Sequence, residues 1–154
     1  MEYKRFLVST DGSELSNRAL DYALDMARLC GANVVAMTVV AHYPRSYFEG
    51  EQLSDIGEAK RTEERWLAAA QEMLQGVQAK AQAAQVQLTT KVVHSDLIGE
   101  SIVKAAQEND CNLIIMATAG RKGLSRVLMG SETQYVITHS PIPVLVVPKT
   151  HGKA

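Results

Sequence analysis

Cysteine is scarce in this chain: its 154 residues hold two, Cys30 and Cys111, far apart and with no CxxC spacing. That excludes a disulfide framework and a zinc ribbon, and the apolar segments around both make buried, reduced thiols the expectation. No apolar run approaches the roughly 20 residues a membrane helix needs. The opening MEYKRFLVSTDG also lacks the apolar region of a signal peptide, so a cytoplasmic location without membrane insertion is expected. Excess charge of one sign is missing too. With 16 basic and 17 acidic residues and a net charge of -1, there is no bulk field to select nucleic acid or a membrane surface, so an anion site would have to be local. The four histidines, His42, His94, His139 and His151, have no metal-ligand spacing and are expected to be structural or exposed.

What is present is ordinary globular composition, 46% apolar and 21% charged, enough for a substantial core. No repeat or low-complexity segment divides it. One domain over residues 1–149 is expected, with a disordered tail at 150–154.

The apolar run at 6–9 breaks at Thr10, Asp11 and Gly12, which reads as a buried strand ending in a turn. Ser13 is placed to cap a helix in which Leu20, Ala23, Leu24, Ala27 and Cys30 recur at helical spacing, and Gly31 to stop it. Residues 34–40 form a second buried strand, and 42–57, with Pro44, Gly50 and Gly57, a long connection whose aromatics Tyr43, Tyr47 and Phe48 either cover a ligand or pin the loop. A long helix is expected over 58–85, with Trp66, Ala70, Met73, Leu74, Val77, Ala81 and Ala84 as its core stripe. Next come a strand at 86–93, Asp96 as a cap, a helix marked by Ile98, Ile102, Val103 and Ala106, and an apolar strand at 113–116. A helix over 131–139 and a strand at 144–147, separated by Pro141 and Pro143, complete the chain. Strands alternating with helices predict an α/β fold: a doubly wound five-stranded parallel sheet, Rossmann-like, with helices on both faces and strand order 3-2-1-4-5. Ligands of such sheets bind beyond the carboxyl ends of the strands, where Thr10, Asp11, Val40 and Ala117 fall.

The segment MATAGRKGLSRVLMGSET joins the fourth strand to the fourth helix. Gly120, Gly123 and Gly130 permit positive φ or a close approach to a ligand, Arg121, Lys122 and Arg126 supply positive charge, and Ser131 stands at the helix start, where backbone N–H groups favour an anion. Ser131 and Gln134 also form an S-x-x-Q capping box, a competing use of the hydroxyl. Asp11 either binds a ribose hydroxyl or magnesium, or bonds its own turn. No GxSxG, HExxH or Walker GxxxxGK[ST] occurs, which favours binding over turnover and leaves no catalytic residue to name.

FLVSTDGSELSNRAL, NVVAMTVV, CNLIIMATAGRKGLSRVLMGSETQYVI and SPIPVLVVPK together resemble the universal stress proteins of the single-domain type. Nucleotide-binding members carry Gly, two residues, Gly, nine residues, Gly, then Ser or Thr; the corresponding positions here are Ala117, Gly120, Gly130 and Ser131. Ala117 is the departure. A positive φ there would cost an alanine on the order of 1 kcal/mol and its methyl would crowd a ribose or phosphate, whereas a negative φ would make it harmless. Glu132 places a carboxylate beside the expected phosphates, unfavourable unless it faces solvent or a metal.

The resemblance implies that Thr10 and Asp11 contact ribose and phosphates, with magnesium reaching Asp11 through the nucleotide, and that Val40 holds adenine through its backbone. It further implies that Met116, Ala117 and Gly120 line the ribose and phosphate path, and that Gly130, Ser131, Glu132 and Thr133 surround the terminal phosphates. It implies a homodimer paired through the last strand, 144–147. The expected function is a non-catalytic, ATP-binding stress-response module, with AMP or ADP as other candidate ligands and an unknown protein partner. The alternatives are a nucleotide-free interaction module and a slow ATP hydrolase.

Overall fold

The computed structural model describes residues 2–44, 53–119 and 129–150. Its elements follow in the order β1 (Arg5–Ser9), α1 (Glu14–Cys30), β2 (Asn33–Val40), α2 (Leu53–Ala83), β3 (Leu88–His94), α3 (Ile98–Glu108), β4 (Leu113–Ala117), α4 (Ser131–His139) and β5 (Val144–Val147). All strand pairs are parallel, and the sheet order is β3-β2-β1-β4-β5. The order therefore reverses between β1 and β4. Gly120, Arg121, Lys122, Gly123 and Arg126, together with Tyr47, Phe48, Gly50 and the tail at 151–154, lie outside the described residues.

Strand alternation divides the core into two layers. Phe6, Val8, Val34, Ala36, Ile115, Ala117 and Val147 face one side, where Ala19, Leu20 and Ala23 of α1 and Leu74, Val77 and Ala81 of α2 cover them. Leu7, Val35, Met37, Ile114 and Met116 face the other, under Ile102 and Ala105 of α3 and Val136 of α4. Burial on both faces explains why these strands read as continuous apolar runs.

The ends of α1 follow the sequence signals: Ser13 Oγ accepts the Ser16 amide, and Gly31 closes the helix at φ 67°. Elsewhere the boundaries move. The long helix begins at Leu53; it ends at Ala83 and β3 starts at Leu88 because residues 84–87 make the turn instead, with Gln85 at φ 57° and the Val86 amide bonded back to Ala81 O. Trp66 is exposed, while Ala70, Leu74, Val77 and Ala81 carry the buried stripe. Cys30 is exposed and Cys111 buried, so only the second thiol fits the expectation. Cys30 is the last residue of α1, one turn beyond the core contacts of Ala27. Burial raises the Cys111 pKa to about 11.

Candidate functional site

The carboxyl ends of β1 and β4 are neighbours, with Val8 opposite Ile115. Two residues further on, the same register sets Thr10 beside Ala117 at the point of reversal, the position where open α/β sheets take ligands. Val40 ends β2 one strand away.

The turn after β1 is built from its own side chains. Thr10 is 2% exposed; its hydroxyl lies 3.2 Å from Ser16 Oγ and donates to Met73 Sδ at 3.9 Å. Its amide donates to Met37 O at 2.9 Å, tying the turn to β2. Asp11 Oδ1 accepts the Ser13 amide at 2.9 Å, and Gly12 follows with φ 79°. These bonds stiffen the entry to α1. Ser16 was not legible as part of this turn from spacing alone, because its hydroxyl reaches Thr10 and the Asp11 amide only once α1 has formed.

Ala117 adopts negative φ, since Gln85 and Asp110 are the only non-glycine residues at positive φ among the described residues. The left-handed strain considered for this position does not arise, and the methyl group packs into the α1/α2 layer with Ile115 and Val147. Met116, its neighbour, faces the α3/α4 layer. The Ala117 carbonyl accepts the buried Thr133 hydroxyl at 3.0 Å, fastening the first turn of α4 to the end of β4.

A second fastening lies just outside it. The Gly130 amide donates to Thr118 O at 2.8 Å, and Thr118 donates its own amide to Val147 O at 3.1 Å. Gly130 has φ -59°, so backbone freedom is not what favours glycine there; a Cβ would sit 3.3 Å from Ala119 Cα, a tight approach that the neighbouring backbone would have to relieve by a few tenths of an ångström. Residues 118 and 130 thus meet.

Ser131 is the first helical residue, not the cap. Gly130 holds the cap position with no side-chain bond, so the S-x-x-Q capping box does not form. Instead Gln134 Nε2 donates to Met129 O at 3.0 Å and Ser131 Oγ to Glu132 Oε2 at 2.8 Å. Both Ser131 and Glu132 are exposed. As the first three helical residues, Ser131, Glu132 and Thr133 have amides without intrahelical acceptors, directed toward the carboxyl end of the sheet.

On the far side, Val40 O accepts the Ser95 amide at 3.0 Å. Asp96 does not cap α3, whose preceding residue Leu97 makes no side-chain cap. Its carboxylate reaches across instead, accepting the His42 amide at 2.9 Å and lying 3.3 Å from His42 Nδ1. The backbone bond from His42, followed by the imidazole bond, holds the Asp96 pKa below its ordinary value. Tyr43 donates its amide to Glu63 at 2.8 Å and lies 6.1 Å, ring to ring, from Trp66. Tyr43 therefore pins the start of the connection between β2 and α2 to α2 itself, while Tyr47 and Phe48 fall outside the described residues. His42 and Asp96 are too distant in sequence to have been paired beforehand. No group of three or more His, Cys, Asp or Glu side chains among the described residues has metal-binding geometry, and no helix there is long and apolar enough to cross a membrane.

This architecture is shared with known proteins. The sequence profile of the Universal stress protein family matches residues 2–148. A universal stress protein of Methanocaldococcus jannaschii is 35% identical over 147 residues, covering 96% of this chain and 83% of that one. Among solved structures, the universal stress protein UspA from Lactobacillus plantarum superposes with a TM-score of 0.83 at 23% identity, over 96% of this chain and 99% of its own. The universal stress protein from Archaeoglobus fulgidus in complex with dAMP does so with a TM-score of 0.64 at 22% identity, over 95% and 98%. A match along nearly its whole length, joined to the 3-2-1-4-5 parallel sheet, means that this chain belongs to the universal stress protein family.

Proposed function

We propose that this protein binds an adenine nucleotide at the reversal point of its sheet and acts as a non-catalytic, cytoplasmic regulatory module of the stress response, working as a homodimer. The observation that carries the reading is the double fastening of α4 to β4, Thr133 Oγ1 to Ala117 O and Gly130 N to Thr118 O. It sets a helix N-terminus beside the glycine-containing turn after β1, an arrangement suited to a phosphorylated ligand. The dAMP complex of the Archaeoglobus fulgidus relative supports an adenine nucleotide as that ligand. In this reading Asp11, Val40, Met116, Ala117, Gly120, Gly130, Ser131 and Glu132 surround the nucleotide, and magnesium arrives with it beside Asp11. Thr10 and Thr133, whose hydroxyls bond within the protein, contribute backbone groups and position the two turns.

Isothermal titration of nucleotide-free protein with ATP, ADP and AMP, with and without magnesium, tests the reading. Saturable binding of at least one is expected, and no heat from any at millimolar concentration would overturn it. A nucleotide-free interaction module is the second reading, favoured by one observation: Glu132 already occupies the Ser131 hydroxyl.

A further inference from the structure

The carboxylate of Glu132 stands in the first turn of a nine-residue helix whose cap position offers no side chain. It is exposed and accepts Ser131 Oγ at 2.8 Å. The positive end of α4 is therefore balanced by a negative charge that the helix itself supplies. A phosphate that takes Ser131 Oγ as a donor must displace that carboxylate or lie within a few ångströms of it. At that separation the repulsion grows with the charge the ligand brings.

We propose that Glu132 is a charge filter on this site: it weakens nucleotide binding in proportion to the negative charge placed at the start of α4, favouring adenosine monophosphate over the triphosphate unless a divalent cation intervenes. The inference rests on the nucleotide reading above and adds a ligand preference to it. The cation would come bound to the nucleotide. Bridging Glu132 and the phosphates, it would turn the repulsive contact into an attractive one. The filter makes polyphosphate binding respond to free magnesium, while monophosphate binding does not.

The test is calorimetric titration of AMP and ATP into the wild-type protein, Glu132→Gln, Glu132→Lys and Glu108→Gln, each in EDTA and in millimolar magnesium. Glu108→Gln removes a charge from the far end of α3, where Glu108 pairs with Lys91 and Lys104. In EDTA, Glu132→Gln should raise ATP affinity about tenfold and AMP affinity about threefold or less, with a larger ATP gain for Glu132→Lys and none for Glu108→Gln. Magnesium should shrink the ATP difference between wild type and Glu132→Gln to within about threefold. Binding of ATP to Glu132→Gln alone would also support the filter. Nucleotide binding with equal AMP and ATP responses to Glu132→Gln, or with none, overturns the filter and leaves the nucleotide reading standing. Failure of every protein to bind either nucleotide overturns both. The exposed position predicts that all three variants fold, as circular dichroism will verify.

Discussion

At the residue scale, single bonds decide how α4 is fastened to β4. The Thr133 hydroxyl is buried against the Ala117 carbonyl, so Thr133→Val should leave that acceptor without its partner and destabilise the fold by about 1–3 kcal/mol in urea denaturation. The substitution conserves shape, so a cost well below that range would mean the fastening is dispensable. The sequence carried the residue but not this use of it. A threonine two places after Ser131 was expected near phosphates, and its direction into the sheet depends on the orientation of α4 over β4. Ala117 shows the opposite case. Its departure from the glycine pattern was legible, but whether it mattered turned on a backbone angle that the tertiary register supplies.

At the element scale, the helices meet where small residues let them. A Cβ at Gly99 would lie 2.7 Å from Tyr135 Cδ1 and 3.0 Å from its Cβ, so Gly99→Ala should push α3 from α4 and lower stability by about 1–3 kcal/mol, measurable as a drop in thermal midpoint. The Tyr135 ring is also stacked on His139 at 3.9 Å, which limits its freedom to move aside. The connection after β2 has a different control. Because His42 depresses the Asp96 pKa, the pair contributes stability that is fully present above the ordinary value of 3.8 and is lost as pH falls through the lower folded-state value. Asp96→Asn should therefore reduce the loss of stability below pH 3.8, while leaving the neutral-pH slope unchanged, in acid titrations followed by circular dichroism. Unchanged acid sensitivity would remove Asp96 from this role. Helix α1 was legible from end to end because Ser13 and Gly31 are local signals. Asp96 departs from its expected role for an equally physical reason: a carboxylate before a helix reads as a cap until a distant backbone amide competes for it.

For the whole molecule, β5 forms one edge of the five-stranded sheet. The ladder to β4 uses alternate residues, with Pro143 O and Val147 O accepting from Ile114 and Thr118, so Val144 and Val146 turn their backbone groups outward. A second copy pairing there would complete the proposed homodimer and protect the edge. Val146→Pro removes an outward N–H without touching the inner ladder, so a shift from dimer to folded monomer is expected in light-scattering measurements. A dimer that survives the change would require another interface.

The sequence by itself determined the alternation of buried strands and amphipathic helices, and hence a parallel, doubly wound sheet. Apolar period, turn residues and the need for crossover helices are local or topological constraints. It also placed Thr10, Asp11, Val40 and Ala117 at strand ends, because a strand's end is written where its apolar run stops. Only the tertiary structure decided which hydroxyls were spent on the scaffold, how closely Gly130 approaches the Ala119 backbone, and which acid accepted the Ser131 hydroxyl. Those outcomes depend on distances between segments remote in sequence, fixed only when β1, β4 and α4 pack together.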